Sequence, residues 1–206
     1  HMKRMITLTL VGLMGLAFAS SALAAAPKKP HAEKPHTAVF AGGCFWCMQP
    51  GFDKTDGVIS TLVGYAGGDA KTANYDAVSS GRTAHLEAIE ITYDPKKVSY
   101  DALLTIYLEN IDPTQADGQF ADRGPQYHTA IFYADAAQKT AAEKALKAIE
   151  AKFAPEPIVV KLLPATPFYA AEDYHQKYYE KNSVHYNAYK RGSGRASFIE
   201  RTWGKK

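Results

Sequence analysis

Strand-like and helix-like periods are interleaved along residues 37–181 without strict alternation, and that order narrows the fold more than any other feature. Residues 37–41 form a short apolar run that stops at Gly42-Gly43, which predicts a strand entering a tight turn. Residues 58–65 are β-branched and lead to Gly67-Gly68, a second strand and turn. Residues 85–93 alternate apolar positions with Glu87, Glu90 and Thr92, the pattern of a half-buried strand, and Asp94-Pro95 closes it. Ser99 is a natural N-cap for a helix over residues 100–110, with Leu103, Leu104, Tyr107 and Leu108 on its apolar side. A strand over 127–133 precedes the clearest helix, 136–153, which is alanine-rich and sets Glu143 four residues before Lys147. A strand over 158–163 and a short helix over 170–181 follow, and beyond Asn182 the weak periodicity predicts coil. Mixed elements in this order predict one α+β domain: a mixed sheet, helices packed on it and a long C-terminal coil.

A chain of 206 residues with 46% hydrophobic content can bury one good core. Its formal charge of +3 includes Lys3 and Arg4, and the basic pairs Lys28-Lys29 and Lys205-Lys206 lie near the ends. No clustered basic face is left to suggest nucleic acid as a partner. Lys3-Arg4, the apolar run over residues 6–19 and the small residues of Ala22-Leu23-Ala24 read together as a secretory signal over residues 1–24. His1, ahead of Met2, reads as a cloning remnant. Residues 25–36, rich in Pro, Ala and Lys, read as a flexible spacer, and residues 37–206 as the working domain. The expected location is therefore outside the cytoplasm, in the periplasm.

Export makes the cysteines informative, because only Cys44 and Cys47 are present. A disulfide across a two-residue gap closes almost no loop and would stabilise little, so the pair is better explained by reactivity than by stapling. A strand, two glycines and a helix start at Cys44 would leave backbone N–H groups free to stabilise a thiolate there. Pro50-Gly51 follows closely, so any helix here must be short, kinked or begin later than Cys44. A bare C-x-x-C has several meanings. Zinc would need two further ligands, and His85, His128, His175 and His185 show no helical pairing. A thioredoxin-type redox pair remains open, although Cys-Phe-Trp-Cys lacks the usual Gly-Pro or Pro-His centre.

Five segments then carry a resemblance. GGCFWC at 42–47, VGYAGG at 63–68, ANYDAVSSGRTAHLEAIEITYDP at 73–95, DPTQADGQFADRGPQYHTAIFY at 112–133 and FYAAEDYHQKYYEKN at 168–182 resemble the A-type peptide methionine sulfoxide reductases, in order and over essentially the whole domain. The resemblance implies that Cys44 is the nucleophile and that Phe45 and Trp46 receive the methyl group of the sulfoxide. Glu87, in Ala84-His85-Leu86-Glu87 where the family keeps G-H-x-E, is then the proton donor. Tyr75 and Tyr127 line the oxygen side, and Asp122 helps hold substrate. His85 is a supporting hydrogen-bonding residue. The residue types suit the chemistry: a sulfoxide is a poor electrophile until its oxygen is protonated, and a carboxyl kept neutral by apolar neighbours can donate that proton.

Most of the family carries Gly at the position of Cys47 and keeps its resolving cysteine in a glycine-rich tail. Here the tail Gly192-Ser193-Gly194-Arg195 has no Cys, so the resolving role falls to Cys47, as in the GCFWC subgroup. Gln49 also stands where Glu is common. The expected fold is an α+β domain with an α/β-plait (ferredoxin-like) core. The expected activity is reduction of methionine S-sulfoxide, free or in oxidised proteins, through a Cys44 sulfenic acid and a Cys44–Cys47 disulfide. No metal or organic cofactor is implied, a thioredoxin-like dithiol is the expected reductant, and a monomer is expected. The rivals are a general disulfide oxidoreductase and a non-catalytic binding protein.

Overall fold

The computed structural model describes residues 36–204. The predicted signal and all of the predicted spacer but His36 lie outside them. In chain order the elements are β1 (His36–Gly42), α1 (Phe45–Asp53), β2 (Val58–Ala66), α2 (Tyr75–Ser79), β3 (Leu86–Tyr93), α3 (Tyr100–Leu108), β4 (Gly118–Gln119), β5 (Asp122–Arg123), β6 (Thr129–Tyr133), α4 (Ala136–Phe153), β7 (Lys161–Pro164), β8 (Phe168–Ala170), α5 (Tyr178–Lys181), α6 (Ser183–Gly192) and α7 (Arg195–Trp203).

Six strands make one sheet in the order β7-β6-β1-β3-β2-β8. The neighbours are antiparallel except β6 and β7, so the sheet is mixed. Its centre, β6-β1-β3-β2 with α1 and α3 as connections, is the βαββαβ plait expected above. Side-chain alternation divides its two faces. Phe40, Ile89, Ile91 and Ile131 join Met48 and Phe52 of α1, Leu103, Leu104 and Tyr107 of α3, and Ala142 of α4 in the main core. Burying each large apolar side chain there contributes roughly 1.5–3 kcal/mol. The alternate residues Ala41, Ala88, Ala130 and Phe132 form a smaller cluster with Ala66 and Leu86.

Two expectations need correction. The region read as a helix over 170–181 opens instead with β8, which pairs with β2 from Gly64 to Ala66, and only Tyr178–Lys181 is helical. A Cβ on Gly64 would lie 2.2 Å from the Tyr169 carbonyl, so that glycine is what lets β8 close on the sheet edge. The predicted C-terminal coil is also wrong, because α6 and α7 occupy most of it. Their inward residues are Tyr186 and Arg195, amphipathic side chains whose apolar bodies do not register as a hydrophobic stripe. Among the described residues no helix is long and apolar enough to cross a membrane.

Candidate active site

The chain leaves β1 at Gly42 and turns at Gly43, whose φ of +78° is a left-handed conformation that suits glycine. Cys44 is the N-cap of α1 and makes no side-chain capping bond, while its carbonyl accepts from the Cys47 N–H at 3.0 Å. Cys47 therefore sits one turn into the helix, directly over Cys44 in sequence spacing. Pro50 falls inside the nine-residue helix, which begins only after Cys44. Both sulfurs are buried and reduced.

Glu87 enters from β3 and is 3% exposed. Its Oε2 accepts the Phe45 N–H at 3.1 Å. Burial pushes this carboxyl up to about 8, against the pull of that one N–H. The group is thus a carboxylic acid at neutral pH. The same hydrogen bond changes the expectation for Cys44. The Phe45 N–H at the start of α1 is engaged by Glu87, and the Cys44 thiol is pushed well up by burial, by donation of its S–H to Cys47 and by the charge of Glu87. Cys47 is drawn down to about 7, chiefly by the hydrogen bond from Cys44, with Arg195 and Lys190 opposing its desolvation. The resting pair is a Cys44 thiol donating to a more acidic Cys47.

A cavity of about 160 Å³ opens at Cys44, lined by Cys44, Phe45, Trp46, Tyr75, Glu87, Asp122, Tyr127 and Tyr189. The sequence reading named seven of these side chains, drawn from α1, α2, β3, β5 and the turn before β6, and the fold brings them to one place. Tyr75 and Tyr127 are held in the neutral phenol form, first by burial and then by the charge of Glu87. Burial also raises the Asp122 carboxyl, opposed by a short hydrogen bond from the Tyr189 hydroxyl and by Arg195. His85 lies elsewhere: it is 1% exposed, its Nε2 is 2.9 Å from the Asp69 carbonyl, and its ring meets Tyr65 and Tyr169. It braces the β2–β3 end and does not line the cavity.

Several contributors were not assigned from sequence. Trp46 stacks on Tyr178 with ring centroids 3.8 Å apart and 7° between planes, and its Nε1–H donates to His175 Nδ1 at 3.0 Å. Glu172 accepts from the Tyr75 N–H at 2.9 Å and from the Tyr65 hydroxyl at 2.8 Å. Tyr189 and Arg195 come from the segment expected to be coil. The fifth motif contained His175, Glu172 and Tyr178, but nothing in their spacing gave them a role. Among the described residues no group of three or more His, Cys, Asp or Glu side chains forms a metal-ligand set.

A cavity lined by apolar rings, a protonated carboxyl, two phenols and a thiol can grip a small polar group beside an alkyl substituent and protonate it. Comparison with known proteins agrees with that chemistry. Residues 36–206 match the family model described as peptide methionine sulfoxide reductase. The chain is 47% identical over 175 residues to the peptide methionine sulfoxide reductase MsrA of Bacillus subtilis, covering 84% of this chain and 99% of that one. Among solved structures it resembles methionine sulfoxide reductase A of Corynebacterium diphtheriae, with TM-score 0.70 and 33% identity over 80% of this chain and 81% of the other. It also resembles reduced Mxr1 from Saccharomyces cerevisiae, with TM-score 0.69 and 29% identity over 73% and 87% of the two chains.

Proposed function

Because this chain belongs to the peptide methionine sulfoxide reductase family and reduces methionine sulfoxide by thiol chemistry, we propose that Cys44 attacks the sulfoxide, Glu87 protonates it and Cys47 resolves the product. One observation carries this reading: the buried, protonated Glu87 and the Cys44 thiol share a single aromatic-walled cavity.

The methyl group of the substrate lies against Phe45 and Trp46, and its oxygen faces Glu87, Tyr75 and Tyr127. Glu87 gives its proton to that oxygen while the two phenols hydrogen-bond it without adding charge. The Cys44 sulfur bonds to the substrate sulfur as its own proton passes to the departing oxygen, the S–O bond breaks and water leaves. Water then adds to the Cys44 sulfur, methionine departs with the electron pair, and the proton released returns to Glu87. Cys44 is left as a sulfenic acid, oxidised by two electrons, and the sulfoxide has been reduced by two. Cys47 condenses with it to a disulfide and a second water. An external dithiol reopens the bond by exchange. A thioredoxin-like protein suits that role, and the yeast Mxr1 has itself been solved in complex with Trx2.

Exchanging methyl and oxygen would press the oxygen onto Trp46 and leave Glu87 facing an alkyl group, so the cavity accepts one epimer, and the resemblance to the A-type reductases makes that the S form. A monomer suffices for this chemistry, because the thiol, the acid and the aromatic wall are all supplied by one copy of the chain. The signal-like residues 1–24 support a periplasmic location, where recycling of the disulfide requires a supply of reducing dithiol. The test is to incubate the protein with racemic methionine sulfoxide and dithiothreitol and follow each epimer. Loss of the S form alone is expected. Equal loss of both epimers, or reduction of insulin disulfides without sulfoxide consumption, would sink the reading. Cys47→Ser should still release about one methionine per enzyme yet lose thioredoxin-driven turnover. Full turnover in that variant would remove Cys47 from the cycle.

A further inference from the structure

The mechanism above leaves one buried charge unused. Arg195, the first residue of α7, is 1% exposed although it carries a cation that no protein environment discharges. Its Nη2 donates to the Gly42 carbonyl at 3.0 Å and its Nη1 to the Asn110 carbonyl, while Met48 Sδ lies 3.8 Å from Nη1. The Phe120 ring faces its guanidinium carbon at 4.5 Å. A Cβ at Gly43 would come within 3.0 Å of Nη2. Gly42 and Met48 bracket the segment from Cys44 to Cys47, so the guanidinium lies against the backbone that carries both sulfurs. Removing a charge from water is costly, and a neutral side chain could pin two carbonyls without that cost. The placement therefore calls for a use of the charge itself.

We infer that Arg195 is a positioning residue for the resolving step, its pinned guanidinium supplying the fixed positive charge that readies the Cys47 sulfur to attack the Cys44 sulfenic acid. The inference rests on the reading of Cys44 and Cys47 given above. In that step the Cys47 thiolate forms the S–S bond and the S–O bond of Cys44 breaks. Hydroxide leaves as water with the proton of Glu87, and the Cys47 sulfur is oxidised as the Cys44 sulfur is reduced. The other groups whose charge bears on this pair are Glu87 from β3, Asp122 from β5, Tyr186, Tyr189 and Lys190 from α6, and Cys44 itself. Of these, Glu87 is protonated at neutral pH and the tyrosines are neutral. Asp122 opposes a thiolate, and Lys190 assists Arg195 from a less buried position.

The experiment is a single turnover with one equivalent of methionine sulfoxide, following methionine release and thiol loss separately from about pH 5.5 to about 9.5. Wild type, Arg195→Gln and Arg195→Lys are compared. Wild-type closure should have its midpoint below the ordinary thiol value of about 8.5, held there by the fixed charge once the Cys44 S–H has been lost to oxidation. In Arg195→Gln the midpoint should rise by about one unit. Closure is then about threefold slower at pH 6 and no slower above pH 9, because a less acidic thiol forms less thiolate but a better nucleophile. Arg195→Lys, which keeps the charge, should follow the wild-type profile. A uniform slowing at every pH, or a Lys variant that follows the Gln variant, would make Arg195 a backbone pin and overturn the inference. Should Arg195→Gln fail to fold, the wild type decides alone: a midpoint at an ordinary thiol value of about 8.5 overturns it. Absence of methionine release from the wild type would instead remove the reaction itself, which keeps the two failures distinct.

Discussion

Glu87 is a carboxyl that folding removes from water and supplies with a single N–H, from Phe45. Folding raises it from 4.5 to about 8, so between those values the folded chain holds a proton that the unfolded chain has released. Stability therefore falls as pH rises across that window, and the neutral isostere escapes the loss. Glu87→Gln should gain on the order of 3–5 kcal/mol over wild type in urea melts at about pH 8.5, and almost nothing at about pH 4. The same change should lower single-turnover methionine release by roughly 10²–10⁴, since an amide cannot transfer the proton. Wild-type activity should decline as pH passes about 8, whereas the residual activity of the variant should not. Equal melts at both pH values would show that the carboxyl is not held protonated. Seven of the eight cavity-lining residues were legible because each sits in a motif whose spacing survives in the sequence. Tyr189 was not: it is one of 13 tyrosines, and it reaches Asp122 across 67 residues of chain. The acidity of the pair was misread for a related reason, as sequence shows an orphan N–H at a helix start but not the buried carboxyl that claims it.

Elements with strong local signals were read nearly to the residue, and α4 shows why. Asp135 is its N-cap and accepts the Gln138 N–H at 2.8 Å, while Gln138 Oε1 takes the Ala134 N–H at 2.9 Å. This is close to a capping box, and Gln138 Nε2 ties it to the Thr37 carbonyl of β1 at 2.8 Å. Asp135→Ala should cost about 1 kcal/mol in urea melts. Turnover should be unchanged, because α4 contributes nothing to the cavity. Gln138→Ala should cost more, since it also leaves the Thr37 carbonyl unpaired at the sheet. A smaller cost for Gln138→Ala than for Asp135→Ala would show that the tie to β1 is weak. Elements without such signals were lost to tertiary context. β8 is three residues long and exists because Gly64 admits its backbone. α6 and α7 are polar on average, and the side chains they bury, Tyr186 and Arg195, are a phenol and a cation rather than aliphatic residues, so their helical pattern was missed.

That difference in how elements are held sets how the whole molecule opens. β1 and β3 lie at the centre of the sheet, each hydrogen-bonded on both sides, and carry the core residues Phe40, Ile89 and Ile91. α6 and α7 bury only Tyr186 and Arg195 between them. Regions with so little buried surface open at a fraction of the global unfolding free energy. Yet this segment supplies Tyr189 to the cavity and Arg195 to the cysteine loop, so the finished site depends on its docking. Amides of residues 183–203 should exchange with deuterium at least about a hundredfold faster than those of residues 86–93. Methionine sulfoxide added to Cys44→Ser, which binds but cannot turn over, should slow exchange in α6. If undocking abolishes binding, ligand at a hundred times its dissociation constant adds about 2.7 kcal/mol to the opening cost, or about a hundredfold in exchange. Protection in β3 should not respond to the ligand in the same proportion, because its amides already report the global transition. Exchange in α6 as slow as in β3, or indifferent to the sulfoxide, would mean that the C-terminal helices belong to the core and that the cavity is complete before substrate arrives.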